Sequence, residues 1–156
     1  LKKYLFPPKT GLYRCRVVYD EKNIDVEYIK YKKRKVTKLK LVYDDEIVYE
    51  IKSTNRKNLE KLLLKKDDAD DIIIVKNNFI TDTSIANIAL YDGENWHTPK
   101  QALLKGTTRE RLLHDGKLML KDINVKDIYK YEKVALLNAM IDFDIIAVEN
   151  IKDVIC

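Results

Sequence analysis

The chain contains an amine, an acid and a glycine-led helix start in an order suited to binding a phosphorylated carbonyl compound. Lys52 follows an alternating apolar stretch, Asp82 lies in a hydroxyl-rich turn thirty residues later, and Gly106 precedes two threonines. An amine can condense with an aldehyde, a carboxylate can pair with a cationic ring nitrogen, and free N–H groups at a helix start can bind phosphate. Pyridoxal phosphate has all three requirements, so these residues are candidates for its site.

Each of these residues also has an ordinary structural explanation. Most lysines are solvated, a carboxylate among threonines and serine can hydrogen-bond its own turn, and a Gly-Thr-Thr segment can begin any capped helix. We expect Lys52, at a strand end beside apolar Ile51, to be partly withdrawn from water, which favours its nucleophilic form.

Length and composition favour one domain or two small ones, because 156 residues with 46% hydrophobic side chains can form a packed core. No apolar run approaches the length of a membrane-spanning helix, so no membrane partner is expected. Cys15 and Cys156 fit no metal or redox spacing, and no metal site is predicted. With few cysteines and no secretory signal, we expect a cytoplasmic protein. The chain begins at Leu1 rather than Met, so we expect natural sequence upstream.

The basic stretch over residues 30–40 suggests a second class of function, in which lysines with an interleaved tyrosine follow a nucleic-acid backbone. A solvated edge strand explains the same residues, since exposed lysines discourage strand pairing between molecules. The net charge of +5 is modest because acids are scattered among the bases, and it does not decide between these explanations. Nucleic acid is therefore the less favoured partner.

The periodicity predicts a mixture of strands and helices without regular βαβ alternation, which is typical of the α+β class with a largely antiparallel sheet. Helices are predicted after Ser53 or Thr54, from a capping box at 107–110 to Gly116, and around 125–129. Tight turns are predicted at 77–78 and 92–93. Strands are predicted over residues 13–19, 24–31, 36–42, 47–51, 72–75, 79–81, 85–91, 96–98, 118–120 and 134–137.

Taken in order, five short segments resemble the class IV, or fold type IV, pyridoxal-phosphate-dependent aminotransferases. That family includes branched-chain aminotransferase, D-amino acid aminotransferase and aminodeoxychorismate lyase. Each segment is a weak signal alone, but their order and spacing together are fairly specific. The segments are 51–56 (IKSTNR), 80–87 (ITDTSIAN), 96–99 (WHTP), 104–109 (LKGTTR) and 138–140 (NAM).

The resemblance implies a role for each residue near the cofactor ring. Lys52 would form the internal aldimine and carry the proton between the substrate Cα and the cofactor. Asp82 would pair with the pyridine nitrogen, and Leu104 would pack against the ring. Arg56 belongs to the implied cofactor-binding set and, with Asn87, would support the site.

The phosphate group would be held by backbone atoms at two places in the chain. The resemblance implies that Thr107 and Thr108 supply the helix start. Ala139, with Asn138 beside it, would supply the last cofactor loop. The implied cofactor is therefore bound by segments that lie far apart in sequence.

The resemblance also implies a fold and an assembly. A short, incomplete N-terminal α/β domain would occupy residues 1–46, and a C-terminal pseudo-barrel of mixed, largely antiparallel strands with flanking helices would occupy 47–156. The cofactor would lie between the domains, and a homodimer is the usual assembly. The chain departs from the family in having Asp82 where Glu is usual. The family's early phosphate-binding arginine would lie upstream of Leu1, and the strand that ends at 17–20 lacks the Arg-Gly pair that helps bind the substrate carboxylate in several members.

The leading functional hypothesis is amino-group transfer between an amino acid and a 2-oxo acid. Aminodeoxychorismate lyase, which forms 4-aminobenzoate, is an alternative that Asn55, Arg56, Asn138 and Ala139 favour. A non-catalytic relative is a further alternative, supported by the short first domain. The basic nucleic-acid-binding domain is the last. The sequence leaves the substrate and its stereochemistry open.

Overall fold

The computed structural model describes residues 4–146, and the chain separates by its contacts into two compact units, 1–34 and 35–156. In the smaller unit, β1 (Tyr13–Tyr19) and β2 (Ile24–Lys30) form an antiparallel hairpin. The Asp20 carboxylate closes its turn by accepting hydrogen bonds from the backbone N–H groups of Lys22 and Asn23, at 2.8 and 2.7 Å. Both strands agree closely with the sequence prediction.

The described part of the larger unit is built on an eight-stranded mixed sheet. The strand order is β10-β9-β6-β5-β4-β3, and β7 joins β6 to β8. Two of the described pairs, β3–β4 and β7–β8, are parallel, and the others are antiparallel, as predicted. The strands are β3 (Leu39–Tyr43), β4 (Asp71–Lys76), β5 (Phe79–Thr83), β6 (Asn87–Tyr91), β7 (Trp96–Pro99), β8 (Met119–Lys121), β9 (Lys133–Asn138) and β10 (Asp142–Ile146).

Two α-helices flank this sheet, α1 (Lys57–Leu63) and α2 (Thr107–His114). A 3-10 turn (Leu64–Lys66) extends α1, and a 3-10 helix (Val125–Lys130) precedes β9. Within residues 4–146, every helix is too short or too polar to cross a membrane.

The predicted helix starts are displaced by one to three residues, and the predicted caps do not form. The first residue before α1 is Arg56, and the residue before α2 is Gly106; neither helix has a side-chain cap. Glu110, which would complete the predicted capping box, is instead paired with the Arg109 guanidinium. Gly116 ends α2 as predicted, in a left-handed conformation with φ of 68° that suits glycine.

The core depends on β4, which is buried on both faces. Ile72 and Ile74 pack on one side with Leu59 and Leu62 of α1. On the other side, Ile73 and Val75 join a larger cluster that includes buried side chains of β5, β6 and β9. A strand covered on both faces has apolar residues at successive positions, which explains the continuous run at 72–75.

The predicted strand at 47–51 does not form. This segment is irregular, and its apolar alternation ends early, because Ile47 is buried while Ile51 is 79% exposed. Ile47 packs between α1 and the sheet, in the cluster that contains Ile72 and Ile74, and its carbonyl accepts a hydrogen bond from Lys76 Nζ at 2.7 Å. β10, which the sequence did not predict, pairs with β9.

The larger unit starts at residue 35 and contains β3, which pairs there with β4. The assignment of residues 1–46 to a remnant of an N-terminal domain remains a prediction.

Replacing Ile74 by alanine should lower the free energy of unfolding by about 2–5 kcal/mol, because it opens a cavity in a fully buried strand. Ile145→Ala is the matched control, since Ile145 is 53% exposed and its truncation should cost less than about 1 kcal/mol. Urea unfolding followed by circular dichroism measures both. Equal losses would contradict the central position of β4.

Candidate active site

Asp82 is a buried acid that lines a cavity of the larger unit, and both of its carboxylate oxygens accept hydrogen bonds. It lies on β5 opposite Asn87 of β6, and its exposure is 5%. Oδ1 accepts from Asn87 Nδ2 at 2.7 Å, and Oδ2 accepts from the backbone N–H of Leu104 at 3.0 Å. The carboxylate is therefore fixed in direction before any ligand binds.

Burial raises the pKa of Asp82 from its ordinary value of 3.8 to about 6. The hydrogen bonds from Leu104 and Asn87, together with the nearby Arg109 charge, oppose the effect of burial and lower this pKa. Above about pH 6 the group is thus mainly an anion held in a poorly solvated place. A cation brought next to it would replace the lost solvation, so this acid is suited to a positively charged ring nitrogen.

Asn87 joins Asp82 to the segment that precedes α2. Its Nδ2 group donates a second hydrogen bond to the carbonyl of Leu104 at 2.7 Å, and its Oδ1 accepts one from the N–H of Gly106 at 3.2 Å. A Cβ atom at Gly106 would overlap Asn87 Oδ1, well inside van der Waals contact. Glycine is required at position 106 by this close approach, since its backbone angles are ordinary for any residue.

The start of α2 presents the backbone of Thr107 and Thr108 at the same cavity. Gly106 is extended, and its carbonyl accepts the first helical hydrogen bond, from Glu110 N at 3.0 Å. The first N–H groups of an α-helix have no partner within the helix and lie at the positive end of its dipole. This helix start can therefore bind an anionic group.

Lys52 lies in the irregular segment that links β3 to α1. Its side chain lines the cavity but is exposed, so the predicted partial burial beside Ile51 is not observed. Ile47 anchors this segment in the core, and Ser53 Oγ accepts a hydrogen bond from Asn55 N at 3.0 Å. The Lys52 side chain is therefore exposed at the cavity on a segment that is attached on both sides.

Arg56 and Asn138 stabilise the loops on the far side of Asp82. Arg56 Nη2 donates to the carbonyl of Ser84 at 2.5 Å, and Asn138 Nδ2 donates to the carbonyl of Ile85 at 3.2 Å. Asn138 Oδ1 also accepts from the N–H groups of the next turn, which places Ala139 at the cavity. Both side chains thus use their polar atoms to position backbone.

All the sequence-predicted site residues line one cavity of about 120 Å³. The cavity is formed within the larger unit by β5, the β5–β6 turn, the segment before α2 and the end of β9. The predicted residues that it brings together are Lys52, Arg56, Asp82, Leu104, Thr107, Thr108, Asn138 and Ala139. Their roles toward a ligand stay predictions.

These residues fit the requirements of pyridoxal phosphate. An exposed amine can reach an aldehyde, a buried and preoriented carboxylate can face a cationic nitrogen, and a helix start can face a phosphate. The half-buried Leu104 supplies an apolar wall between the last two. The fit rests on the N–H donors at the start of α2 and on the buried charge of Asp82. No group in the described part of the cavity forms a direct ion pair with this charge.

A larger depression of about 550 Å³ contains none of the predicted site residues. It is lined mainly by charged side chains, and both of its lysines are paired with acids of the same lining. Lys130 lies 2.7 Å from Asp127, and Lys121 lies 3.8 Å from Asp92. Size alone would favour this depression, but it contains neither the predicted amine and acid nor the start of α2.

Sequence reasoning missed the contributions of Tyr49, Leu103 and Arg109. Tyr49 and Leu103 line the cavity, and both also pack against the cluster under α1. Arg109 is almost fully buried, donates to the carbonyl of Pro99 at 2.9 Å and helps keep Asp82 ionised. An arginine on the apolar side of a predicted helix was the signal that could have identified Arg109.

Residues 19–150 match the sequence model of a family described as amino-transferase class IV. The chain is 34% identical over 134 residues to a protein of Haemophilus influenzae that carries the name "Uncharacterized protein", which covers 86% of this chain and 71% of that one. The family match includes every predicted site residue within one continuous segment.

The fold is similar to that of solved structures. A protein of Haemophilus somnus, provisionally described as a 4-amino-4-deoxychorismate lyase, is 34% identical with a TM-score of 0.82, covering 90% of this chain and 72% of that one. The branched-chain amino acid aminotransferase of T.th., solved with N-(5'-phosphopyridoxyl)-L-glutamate, is 13% identical with a TM-score of 0.65, covering 79% and 47%. The second likeness concerns the fold alone. The predicted α+β class is confirmed.

The raised pKa of Asp82 predicts a pH-dependent stability. Because the folded chain binds this proton more tightly than the unfolded chain, the free energy of unfolding should fall as pH rises from about 4 to about 6. Relative to Asp82→Asn, the wild-type protein should lose about 2 kcal/mol between pH 4 and pH 7, as measured by urea unfolding. Both proteins contain the other carboxylates, so the difference between their free energies of unfolding isolates the contribution of Asp82. A difference that does not change with pH would contradict the raised pKa of Asp82.

Proposed function

The chain belongs to the amino-transferase class IV family, and on this premise we propose that it is a pyridoxal-phosphate enzyme that transfers an amino group between an amino acid and a 2-oxo acid. The observation that carries the proposal is the single cavity that joins Lys52, Asp82 and the start of α2. A homodimer and a cytoplasmic location are part of the same proposal.

When bound, pyridoxal phosphate supplies an electron-accepting ring that stabilises negative charge on the Cα atom of an attached amino acid. Asp82 supports this role, because its carboxylate would keep the ring nitrogen protonated. The hydrogen bonds from Asn87 and Leu104 hold both carboxylate oxygens, so the acid need not reorganise when a cation arrives.

Lys52 is proposed to hold the cofactor through its Nζ atom. Once the substrate amine has displaced it, the freed Nζ would act as the base that removes the proton from the substrate Cα, and it would deliver that proton to the cofactor. An exposed amine on an irregular segment suits both tasks, because it must move between two positions. The buried acid stays fixed while the lysine moves.

The phosphate and the ring face are assigned to backbone and apolar atoms. The N–H groups at Thr107 and Thr108 would bind the phosphate, as helix starts commonly do. Ala139 would approach it from the loop that Asn138 holds. Leu104 would cover one ring face and exclude water from the reacting atoms.

Aminodeoxychorismate lyase activity is the second candidate. It is favoured by the 34% identity to the Haemophilus somnus protein and by Asn55 and Arg56 beside Lys52. Nucleic-acid binding has less support, since Lys38 and Lys40 of the basic stretch are paired with Asp68 and Asp67.

Lys52→Ala should abolish covalent capture of pyridoxal phosphate while leaving the fold intact, because the exposed side chain contributes little to packing. The wild-type protein is incubated with the cofactor, reduced with borohydride and mapped by mass spectrometry of its peptides. Lys105→Ala is the matched control, since Lys105 is exposed beside Leu104 but does not line the cavity. A label that persists in Lys52→Ala would assign the cofactor to another lysine.

The two candidate reactions differ in their need for an amino acceptor. A lyase should release pyruvate from 4-amino-4-deoxychorismate without any 2-oxo acid, whereas an aminotransferase should turn over only when both an amino donor and a 2-oxo acid are present. Assaying pyruvate from the first substrate and amino-acid formation from common donor–acceptor pairs separates the two. Turnover in neither assay by a cofactor-labelled protein would favour a non-catalytic relative.

A further inference from the structure

The Asn87 side chain can adopt only one amide orientation in this site. Its two N–H donors face the Asp82 carboxylate and the Leu104 carbonyl, and its oxygen faces the Gly106 N–H. Turning the amide over would set its oxygen against two acceptors and its nitrogen against a donor. The amide is therefore fixed by three partners at once, and serine or aspartate cannot reproduce this set.

Asp82 and Asn87 both form hydrogen bonds with the backbone of Leu104. The N–H of Leu104 donates to Asp82 Oδ2 at 3.0 Å, and its carbonyl accepts from Asn87 Nδ2 at 2.7 Å. These two side chains, which come from paired strands, take up the N–H and carbonyl groups of Leu104 as the backbone of a neighbouring strand would. The segment that leads into α2 is attached to the sheet at this point.

Gly106 allows the segment before α2 to lie close to the Asn87 side chain. A Cβ there would displace Asn87 Oδ1, which is the atom that receives the Gly106 N–H. Any larger residue would therefore push the start of α2 away from β6. The same displacement would move the amide away from Asp82.

We propose that Asn87 is a positioning residue that couples the acid facing the cofactor ring to the helix start facing its phosphate. Its side chain orients the Asp82 carboxylate and also fixes the segment from Leu104 to Gly106. A shift of the carboxylate would therefore also shift this segment, and the reverse. The role rests on the proposed function for its ligand, but the coupling itself is a property of the chain without cofactor.

The coupling also bears on the use of aspartate at position 82. One oxygen of the Asp82 carboxylate accepts a hydrogen bond from Asn87 and the other accepts one from Leu104, so its place in the cavity depends on both residues. A shorter acid has less freedom to adjust to a ring nitrogen. Its correct placement therefore depends more strongly on Asn87.

The first test is a nuclear magnetic resonance titration of the wild-type protein without cofactor. The side-chain amide resonances of Asn87 should move with pH and share the midpoint of the Asp82 carboxyl carbon, close to pH 6. This measurement needs no substitution. Amide resonances that stay still between pH 4 and pH 8 would overturn the proposal.

The second test compares Asn87→Ser with Asn124→Ala, which removes a helix cap that serine would keep. Losing the Nδ2 hydrogen bond should raise the titration midpoint of Asp82 by about one pH unit, and affinity for pyridoxal phosphate, measured by equilibrium dialysis, should fall about tenfold. Asn124 caps a 3-10 helix away from the cavity, where its Oδ1 accepts from Lys126 N at 3.0 Å. Its replacement should lower stability while leaving both readouts unchanged.

Gly106→Ala tests the same contact from the other side and should reproduce both effects of Asn87→Ser. If Asn87→Ser loses stability as the control does but keeps the wild-type midpoint and affinity, the residue is structural and the proposal fails. If wild-type protein binds no pyridoxal phosphate, the proposed function fails, while the titrations still decide the coupling.

Discussion

The site depends on one pair of hydrogen bonds, which join Asp82 and Asn87 to the backbone of Leu104. The two residues face each other because β5 and β6 form a tight hairpin, in which Thr83 N donates to the carbonyl of Ala86 at 2.9 Å. Their side chains reach across to a segment that belongs to no strand. This contact fixes the acid, the apolar Leu104 and the start of α2 relative to one another, so three groups that line the cavity are held together by hydrogen bonds.

A buried carboxylate is costly unless a cation pairs with it, and among residues 4–146 no cation is directly paired with Asp82. Two hydrogen bonds and the field of Arg109 keep Asp82 largely ionised above about pH 6, although burial opposes this. Arg109 is itself held by the Pro99 carbonyl and by Glu110. The arrangement is preorganised for positive charge, because a cation would complete the set of interactions and no donor would have to move first.

Burial and exposure are divided between the two groups that the proposed reaction requires. Asp82 lies in a sheet whose neighbouring strand, β4, is packed on both faces, so its position is fixed by the core. Lys52 lies on an irregular segment attached through Ile47, and its side chain is exposed. The proposed roles match this division, because a residue proposed to carry a proton between two atoms must reach both, while an acid proposed to stabilise a charge must keep one position.

The sequence by itself determined most of the elements and the predicted members of the cavity. The apolar run at 72–75 predicted a buried strand, the residues at 77–78 and 92–93 predicted turns, and the five ordered segments predicted the family, because these signals are local or rest on fixed spacing. Only the tertiary structure decided that 47–51 is not a strand, that Lys52 is exposed, that β10 pairs with β9 and that Gly106 rather than a capping box begins α2. Those outcomes depend on which neighbour is present to pair, cover or crowd a residue. The Asn87 contacts with Leu104 and Gly106 join positions 17 and 19 residues apart, and no local pattern encodes them.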